Sequence, residues 1–94
     1  TRITSMQAFV DQCVMAHNAG ELDETAASMA KFWTTEEQQD IVTRCTQMFG
    51  GYGFMLEYPI STHYLDTKVQ TIYGGTNEIM KEIIFRRIAK GGAA

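Results

Sequence analysis

The sequence has little positive charge, no long apolar run and few cysteines, and each shortage excludes a class of protein. Eight Lys and Arg against eleven Asp and Glu give a net charge of −3 and a pI of about 5.2. Such a chain offers no basic face for non-specific nucleic-acid binding. No stretch approaches the ~20 consecutive apolar residues that a membrane-spanning helix needs. The start, Thr1-Arg2-Ile3, lacks both a methionine and a signal-peptide pattern, which favours a segment or a processed chain.

The cysteines and histidines are too few and too scattered to predict a metal site. Cys13 and Cys45 lack the CxxC spacing, and each lies on the apolar stripe of a predicted helix. We therefore expect two reduced, buried thiols, with a redox or metal role as the alternative. His17 and His63 have no second His or Cys at ligand spacing, so no metal site is predicted.

What is present is a globular composition with helical periodicity. Hydrophobic residues make up 45% of the 94 residues and charged residues 20%, which is typical of one small domain or a piece of a larger one. Apolar residues recur at three-and-four spacing over four segments. They predict helices over residues 5–19, 23–49, 61–68 and 76–90, with Asp23 and Thr76 as N-caps.

Three details of this pattern define the expected architecture. Residues 34–40 are polar throughout, so we expect the middle of the long second helix to face water on most sides. Residues 50–54 (GGYGF) should stop helical propagation, and Pro59 should mark a turn. The whole predicts an all-α, antiparallel helical bundle. Its apolar stripes are wide enough to require a further partner, either missing chain or a second copy.

Two glycine clusters adjoin helix ends and have two readings. Gly50-Gly51 follows the second helix and Gly74-Gly75 precedes the last one. Backbone without Cβ atoms can approach a ligand closely, and a helix N-terminus favours an anion or a carbonyl oxygen. The alternative is structural: a C-cap at the first pair and a tight turn at the second. Gln47, one turn before the first pair, is either a solvated amide or a neighbour of the same ligand.

The motifs around these glycines resemble, as a set, those of acyl-CoA dehydrogenases. Residues 47–54 (QMFGGYGF) and 57–60 (EYPI) are similar to the family's glycine-rich stretch, and 66–68 (DTK) to its Asp-Ala-Arg turn. Residues 72–79 (IYGGTNEI) are similar to the signature before its last long helix. The motifs have the family's order and separations over residues 47–87. Ala30-Lys31 and residues 9–11 extend the match upstream.

The resemblance implies a fold and an activity. Members have an N-terminal helical domain, a middle β domain and a C-terminal four-helix bundle, assembled as dimers or tetramers. Residues 1–94 are then a partial C-terminal domain, most of that bundle. Members use FAD to oxidise an acyl-CoA to the trans-2-enoyl-CoA in fatty acid β-oxidation, and pass electrons typically to an electron-transfer flavoprotein. The expected location is intracellular, in a bacterial cytoplasm or a mitochondrial matrix.

By the same resemblance, two sets of residues have assigned partners. One set contacts FAD, partly the ADP moiety held by a neighbouring subunit and partly the flavin of its own subunit: Gln47, Gly50, Gly51, Thr76 and Glu78. The other lies beside the acyl group: Tyr73, Gly74 and Gly75.

One departure from the family pattern concerns the catalytic base. Many members have the catalytic glutamate where this sequence has Gly74, and glycine has no proton acceptor on a side chain. Glu78 lies a turn further on and belongs to the helix start, so no catalytic residue is assigned in this chain. The signature resembles the long-chain branch, in which, as in the isovaleryl branch, the base comes from an earlier helix. The missing side chain also leaves room that suits long or branched acyl groups.

These implications lead to expectations for the isolated chain. We expect no dehydrogenase activity, weak or absent FAD binding, and self-association through an exposed apolar groove. Two other functions stay open at this point: a non-catalytic assembly module of the same fold, and a flavoenzyme of the acyl-CoA oxidase type.

Overall fold

The computed structural model describes residues 1–91, and within them the chain forms four α-helices and no strand. The helices are α1 (Arg2–Asn18), α2 (Glu24–Met48), α3 (Pro59–Val69) and α4 (Asn77–Ala89). A 3₁₀ helix, Gly50–Phe54, follows α2. The predicted all-α class is confirmed.

The 25-residue helix α2 is the axis of the fold, because each other helix packs on it. Within residues 1–91, α1, α3 and α4 do not pack on one another. All three run antiparallel to α2. The Phe9 ring of α1 meets Trp33 edge-on, with centroids 5.9 Å apart, and Thr67 of α3 lies 3.4 Å from the Gln39 side chain. The predicted antiparallel arrangement is therefore present, but it is an open one in which the three other helices pack on α2 and not on one another.

The helix starts follow local chemistry, and both predicted N-caps are confirmed. Asp23 accepts a hydrogen bond from the Ala26 N–H at 2.7 Å, and Thr76 accepts one from the Ile79 N–H at 3.4 Å. Each satisfies a first-turn donor that has no partner within its own helix.

Two predicted boundaries are wrong, and the predicted end of the second helix is right but is followed by a further helical turn. The first helix begins at Arg2 rather than residue 5, because the Thr1 carbonyl already accepts the Ser5 N–H. The third is longer than residues 61–68: Pro59 opens it, in the first helical turn where its missing N–H costs nothing. The glycine-rich residues 50–54 end α2 but continue as a 3₁₀ turn.

The polar middle of α2 is half-buried, contrary to the prediction that it faces water on most sides. In residues 34–40 only Gln38 is exposed. Thr34 and Thr35 bond back to the carbonyls of Ala30 and Lys31, and the acidic side chains pair with cations from the neighbouring helices α1 and α4. Hydropathy alone cannot show this, because these polar groups are covered by polar partners.

The apolar core of the described residues is thin. Ile84, 9% exposed, is their only buried hydrophobic side chain. The accessible surface is 6705 Å², against roughly 5,500 Å² for a compact monomer of this mass. The radius of gyration is 15.7 Å, against about 12 Å. Cys13 and Cys45 are free but only half-buried, so the prediction of buried thiols is wrong on burial, since the helices of this open arrangement leave part of each other uncovered.

An apolar groove of about 510 Å³ lies between α1, α2 and α4. Its walls are Ser5, Phe9, Met29, Phe32, Trp33 and Ile84. Because contiguous exposed apolar surface drives association, we expect the purified 94-residue segment to sediment as oligomers at micromolar concentration. Sedimentation velocity from 1 to 100 μM tests this, and a monomer over the whole range would contradict it.

Candidate functional site

The turn before α4 presents backbone groups to the surface. Gly74 and Gly75 have φ of 67° and 92°, a region that side chains with a Cβ rarely adopt. Thr76 then caps α4. The N–H groups of Gly75, Thr76 and Glu78 have no acceptor among residues 1–91. Together with the positive end of the helix dipole, they form a place suited to an anion or a polarised carbonyl oxygen.

An opening of about 280 Å³ lies against this helix start, between α2, α3 and α4. Its walls are Glu36, Gln39, Lys68, Thr71, Ile72, Thr76, Asn77 and Glu78. The fold thus brings two of the predicted cofactor residues, Thr76 and Glu78, to one opening. Tyr73 follows the wall residue Ile72 in the chain and is exposed over 56% of its surface.

A partly buried polar network connects the turn to α2. Lys31 of α2 donates from Nζ to the Gly75 carbonyl and to Asn77 Oδ1, both at 2.7 Å. Asn77 is only 3% exposed, and its Nδ2 donates to Thr35 Oγ1 at 3.0 Å. Sequence reasoning missed this network. Its one signal is a lysine among the apolar stripe residues of α2.

A second link between α2 and α4 lies closer to solvent. Lys81 pairs with Glu36 at 2.9 Å and lies 5.5 Å from the centre of the Phe32 ring. The hydrogen bond to the Glu36 carboxylate raises the pKa of Lys81, so this cation persists throughout the neutral range. It holds the helices together without touching the glycine turn.

The first glycine segment lies at the other end of α3. Gln47 is exposed on the last turn of α2, and an added Cβ at Gly50 or Gly51 would meet nothing within 4 Å. Gly53 differs, since its Cβ would come within 2.6 Å of the Thr46 carbonyl oxygen. Within one chain, therefore, the structure does not bring Gln47, Gly50 and Gly51 together with Thr76 and Glu78.

The position that lacks the expected carboxylate is open. A Cβ at Gly74 would meet nothing within 4 Å, so the turn leaves free space where many acyl-CoA dehydrogenases have glutamate. Glu78 is exposed at the rim of the opening.

Among residues 1–91 no group of three or more His, Cys, Asp and Glu side chains is arranged so that it could hold a metal ion. No helix in that range is long and apolar enough to cross a membrane.

The fold and this site define an all-α segment in which two glycine-rich turns flank a short helix. The sequence profile of "Acyl-CoA dehydrogenase, C-terminal domain" matches residues 1–89. The chain belongs to the acyl-CoA dehydrogenase family.

Individual relatives agree with this assignment. Over 88 residues the chain is 52% identical to the long-chain specific acyl-CoA dehydrogenase, mitochondrial, of Rattus norvegicus, a match covering 94% of this chain and 20% of that protein. An acyl-CoA dehydrogenase structure from Geobacillus kaustophilus superposes with a TM-score of 0.90 at 44% identity, over 94% of this chain and 23% of that one. A chain in a structure described as electron transferring flavoprotein of Acidaminococcus fermentans has a TM-score of 0.87 at 32% identity, with the same coverage. The chain thus spans about a fifth to a quarter of the length of these relatives.

Proposed function

We propose that residues 1–94 form part of the C-terminal domain of an FAD-dependent enzyme that converts acyl-CoA thioesters to trans-2-enoyl-CoA. The observation that carries the proposal is the α4 start, where free N–H groups, Thr76 and Glu78 border one opening beside the Gly74-Gly75 turn. The 52% identity with a long-chain specific relative supports the long-chain branch.

The residues present fit a flavin and a pyrophosphate. The N–H groups of Thr76 and Glu78 would hold a flavin oxygen at the positive end of α4. The open backbone at Gly50 and Gly51 would let a pyrophosphate approach closely, with the Gln47 amide beside it. Because the two groups lie at opposite ends of α3, we assign Gln47, Gly50 and Gly51 to the FAD of a neighbouring subunit and Thr76 and Glu78 to the subunit's own. The enzyme is then a homodimer or tetramer.

Tyr73, Gly74 and Gly75 would form the surface against which the acyl group rests. FAD bound there would accept the hydride from the acyl β-carbon. The base that takes the α-proton would lie outside residues 1–94, because Gly74 has no side chain to supply it. By its family the enzyme works inside the cell, in a bacterial cytoplasm or mitochondrial matrix, and passes electrons to an electron-transfer flavoprotein.

The direct test uses the complete polypeptide that contains this segment. Purified with FAD and mixed anaerobically with a long-chain acyl-CoA, it should lose its flavin absorbance near 450 nm and form the 2-enoyl-CoA. The isolated segment should do neither. Absence of flavin from the complete polypeptide would favour the assembly module. Rapid reoxidation of the reduced flavin by oxygen would favour an oxidase.

The assignment of the base makes a separate prediction for Glu78. Replacing it by glutamine in the complete enzyme should change kcat by no more than about threefold. Loss of a general base costs about 10²-fold or more. The measurement is kcat at saturating acyl-CoA over pH 6–9. A hundredfold fall would place the base at Glu78 and contradict the upstream assignment.

A further inference from the structure

The Gly74-Gly75 turn has little holding it in place. Both glycines have positive φ, and glycine keeps more conformational freedom than any other residue. Among residues 1–91, one hydrogen bond reaches the backbone of this pair, the one that Lys31 Nζ donates to the Gly75 carbonyl. The Asn77 N–H also bonds to the Thr71 carbonyl at 3.1 Å and joins the two sides of the turn, but the contact made directly to the glycine backbone comes from a side chain of another helix.

The same ammonium group also fixes the first residue of α4. Lysine has three donors and no acceptor, so the group facing it on Asn77 must be the amide oxygen. That orientation directs Asn77 Nδ2 to the Thr35 hydroxyl, which itself bonds to the Lys31 carbonyl at 2.7 Å. This series of hydrogen bonds begins and ends at Lys31 of α2. Among the described residues no buried side-chain polar atom lacks a partner.

The Lys31 ammonium group lies beside the start of α4, and this position requires an explanation. The N-terminus of a helix carries the positive end of the dipole, so a lysine there is unfavourable unless carbonyl oxygens offset it. Two such oxygens receive it at 2.7 Å. A second link between α2 and α4 exists in the pair Lys81–Glu36. Lys81 does not contact the turn and is not among the walls of the opening.

From these contacts we infer that Lys31 is a positioning residue: it holds Gly74, Gly75 and the start of α4 in the arrangement that acyl-CoA oxidation requires. The inference rests on the proposed function, which places the acyl group and the flavin against this turn. Lys31 acts through the Gly75 carbonyl and Asn77, and the proposal gives it no contact with either ligand.

The test compares two lysines that bridge the same pair of helices. In the complete holoenzyme, Lys31→Met keeps an unbranched side chain and removes the donors, while Lys81→Met removes the neighbouring link and leaves the turn untouched. Lys31→Arg keeps the charge and the donors. Thr35→Val, which preserves side-chain shape, loosens Asn77 more mildly and serves if Lys31→Met does not fold.

Two measurements are made on each variant. Hydrogen–deuterium exchange reports the opening of two amides: Asn77, whose N–H bonds across the turn to the Thr71 carbonyl, and Ile79, whose N–H bonds to the Thr76 hydroxyl at the helix start. Anaerobic stopped flow reports the rate of flavin reduction by saturating acyl-CoA, normalised to bound flavin, so that loss of folded or loaded protein does not enter.

Lys31→Met should speed exchange at these amides and slow flavin reduction, each about tenfold or more, as expected for a lost charged hydrogen bond. Lys31→Arg should recover both to within about threefold, and Lys81→Met should change neither by more than about twofold. Thr35→Val should shift both in the direction of Lys31→Met. Unchanged exchange in Lys31→Met, or equal effects of Lys31→Met and Lys81→Met, would overturn the inference. So would faster exchange with an unchanged reduction rate. If the wild-type enzyme reduces no flavin with acyl-CoA, the proposed function itself fails, and this inference with it.

Discussion

Replacing Gly53 by alanine is expected to lower the free energy of unfolding by about 1–3 kcal/mol, the usual cost of overpacking a close-packed site. The added Cβ would lie 2.6 Å from the Thr46 carbonyl oxygen, 3.0 Å from Thr46 Cγ2 and 3.4 Å from Phe49 Cβ. The first of these atoms is helix backbone and cannot move away as a flexible side chain would. Gly53 is buried, so relief requires the 3₁₀ turn to separate from α2.

Gly51→Ala is the matched control for this prediction. The two glycines are separated by one residue in the same 3₁₀ helix, but a Cβ at Gly51 meets nothing within 4 Å, and its φ is not positive. Alanine there should leave stability unchanged or raise it slightly, since it restricts the unfolded chain. Urea unfolding of the FAD-free complete polypeptide, at fixed protein concentration, measures both variants, because Gly51 is itself assigned to FAD and bound FAD would add to the apparent stability. Equal midpoints for the two would show that α2 and the turn adjust freely.

The difference between these glycines shows where sequence reasoning about the fold ends. Apolar periodicity and the caps Asp23 and Thr76 predicted four helices and their order, because those signals are local in the chain. Within the motif GGYGF, however, Gly51 and Gly53 look alike. What separates them is the distance to Thr46, which depends on how the 3₁₀ turn folds back on α2.

The same limit explains the error over residues 34–40. Their polarity predicted exposure, since hydropathy treats every polar group as solvated. In the structure Arg2 meets Glu37 and Asp40, and Lys81 meets Glu36. These pairs join residues that are far apart in the chain, so no window along the sequence contains them.

For the candidate site, the sequence motifs pointed to residues that the structure places at the turn before α4, but they gave no sign of the side chains that support this turn. Thr76 and Glu78, which the resemblance to the family assigns to FAD, border one opening, and their contact with FAD stays a prediction. In the sequence, Lys31 is only a lysine among the apolar stripe residues of α2. Asn77 is only an amide residue in the first turn of the last helix. Their connection spans 46 positions in the chain, and only the packing of α4 on α2 reveals it.

Gly74→Leu in the complete enzyme is expected to lower kcat/KM for long-chain or branched acyl-CoA about 100-fold. The space around a Cβ at Gly74 is open, and under the proposed function the acyl group occupies it. Each misplaced carbon in an apolar pocket costs about 1–3 kcal/mol of transition-state binding. A leucine side chain would displace several carbons of the acyl group. We therefore expect a loss of about 2.7 kcal/mol of transition-state binding, which corresponds to about 100-fold in kcat/KM.

Backbone strain must be separated from this steric effect, and Gly20 provides the means. Its φ of 72° is close to the 67° of Gly74, and a Cβ there also meets nothing within 4 Å. Leucine at either position therefore carries the same left-handed strain, about 1–2 kcal/mol, but Gly20 lies beyond the end of α1, outside the candidate site. Gly20→Leu should lose comparable stability and keep kcat/KM within about threefold. If the two variants lose kcat/KM equally, strain alone accounts for the effect, and the acyl group does not occupy the space beside Gly74.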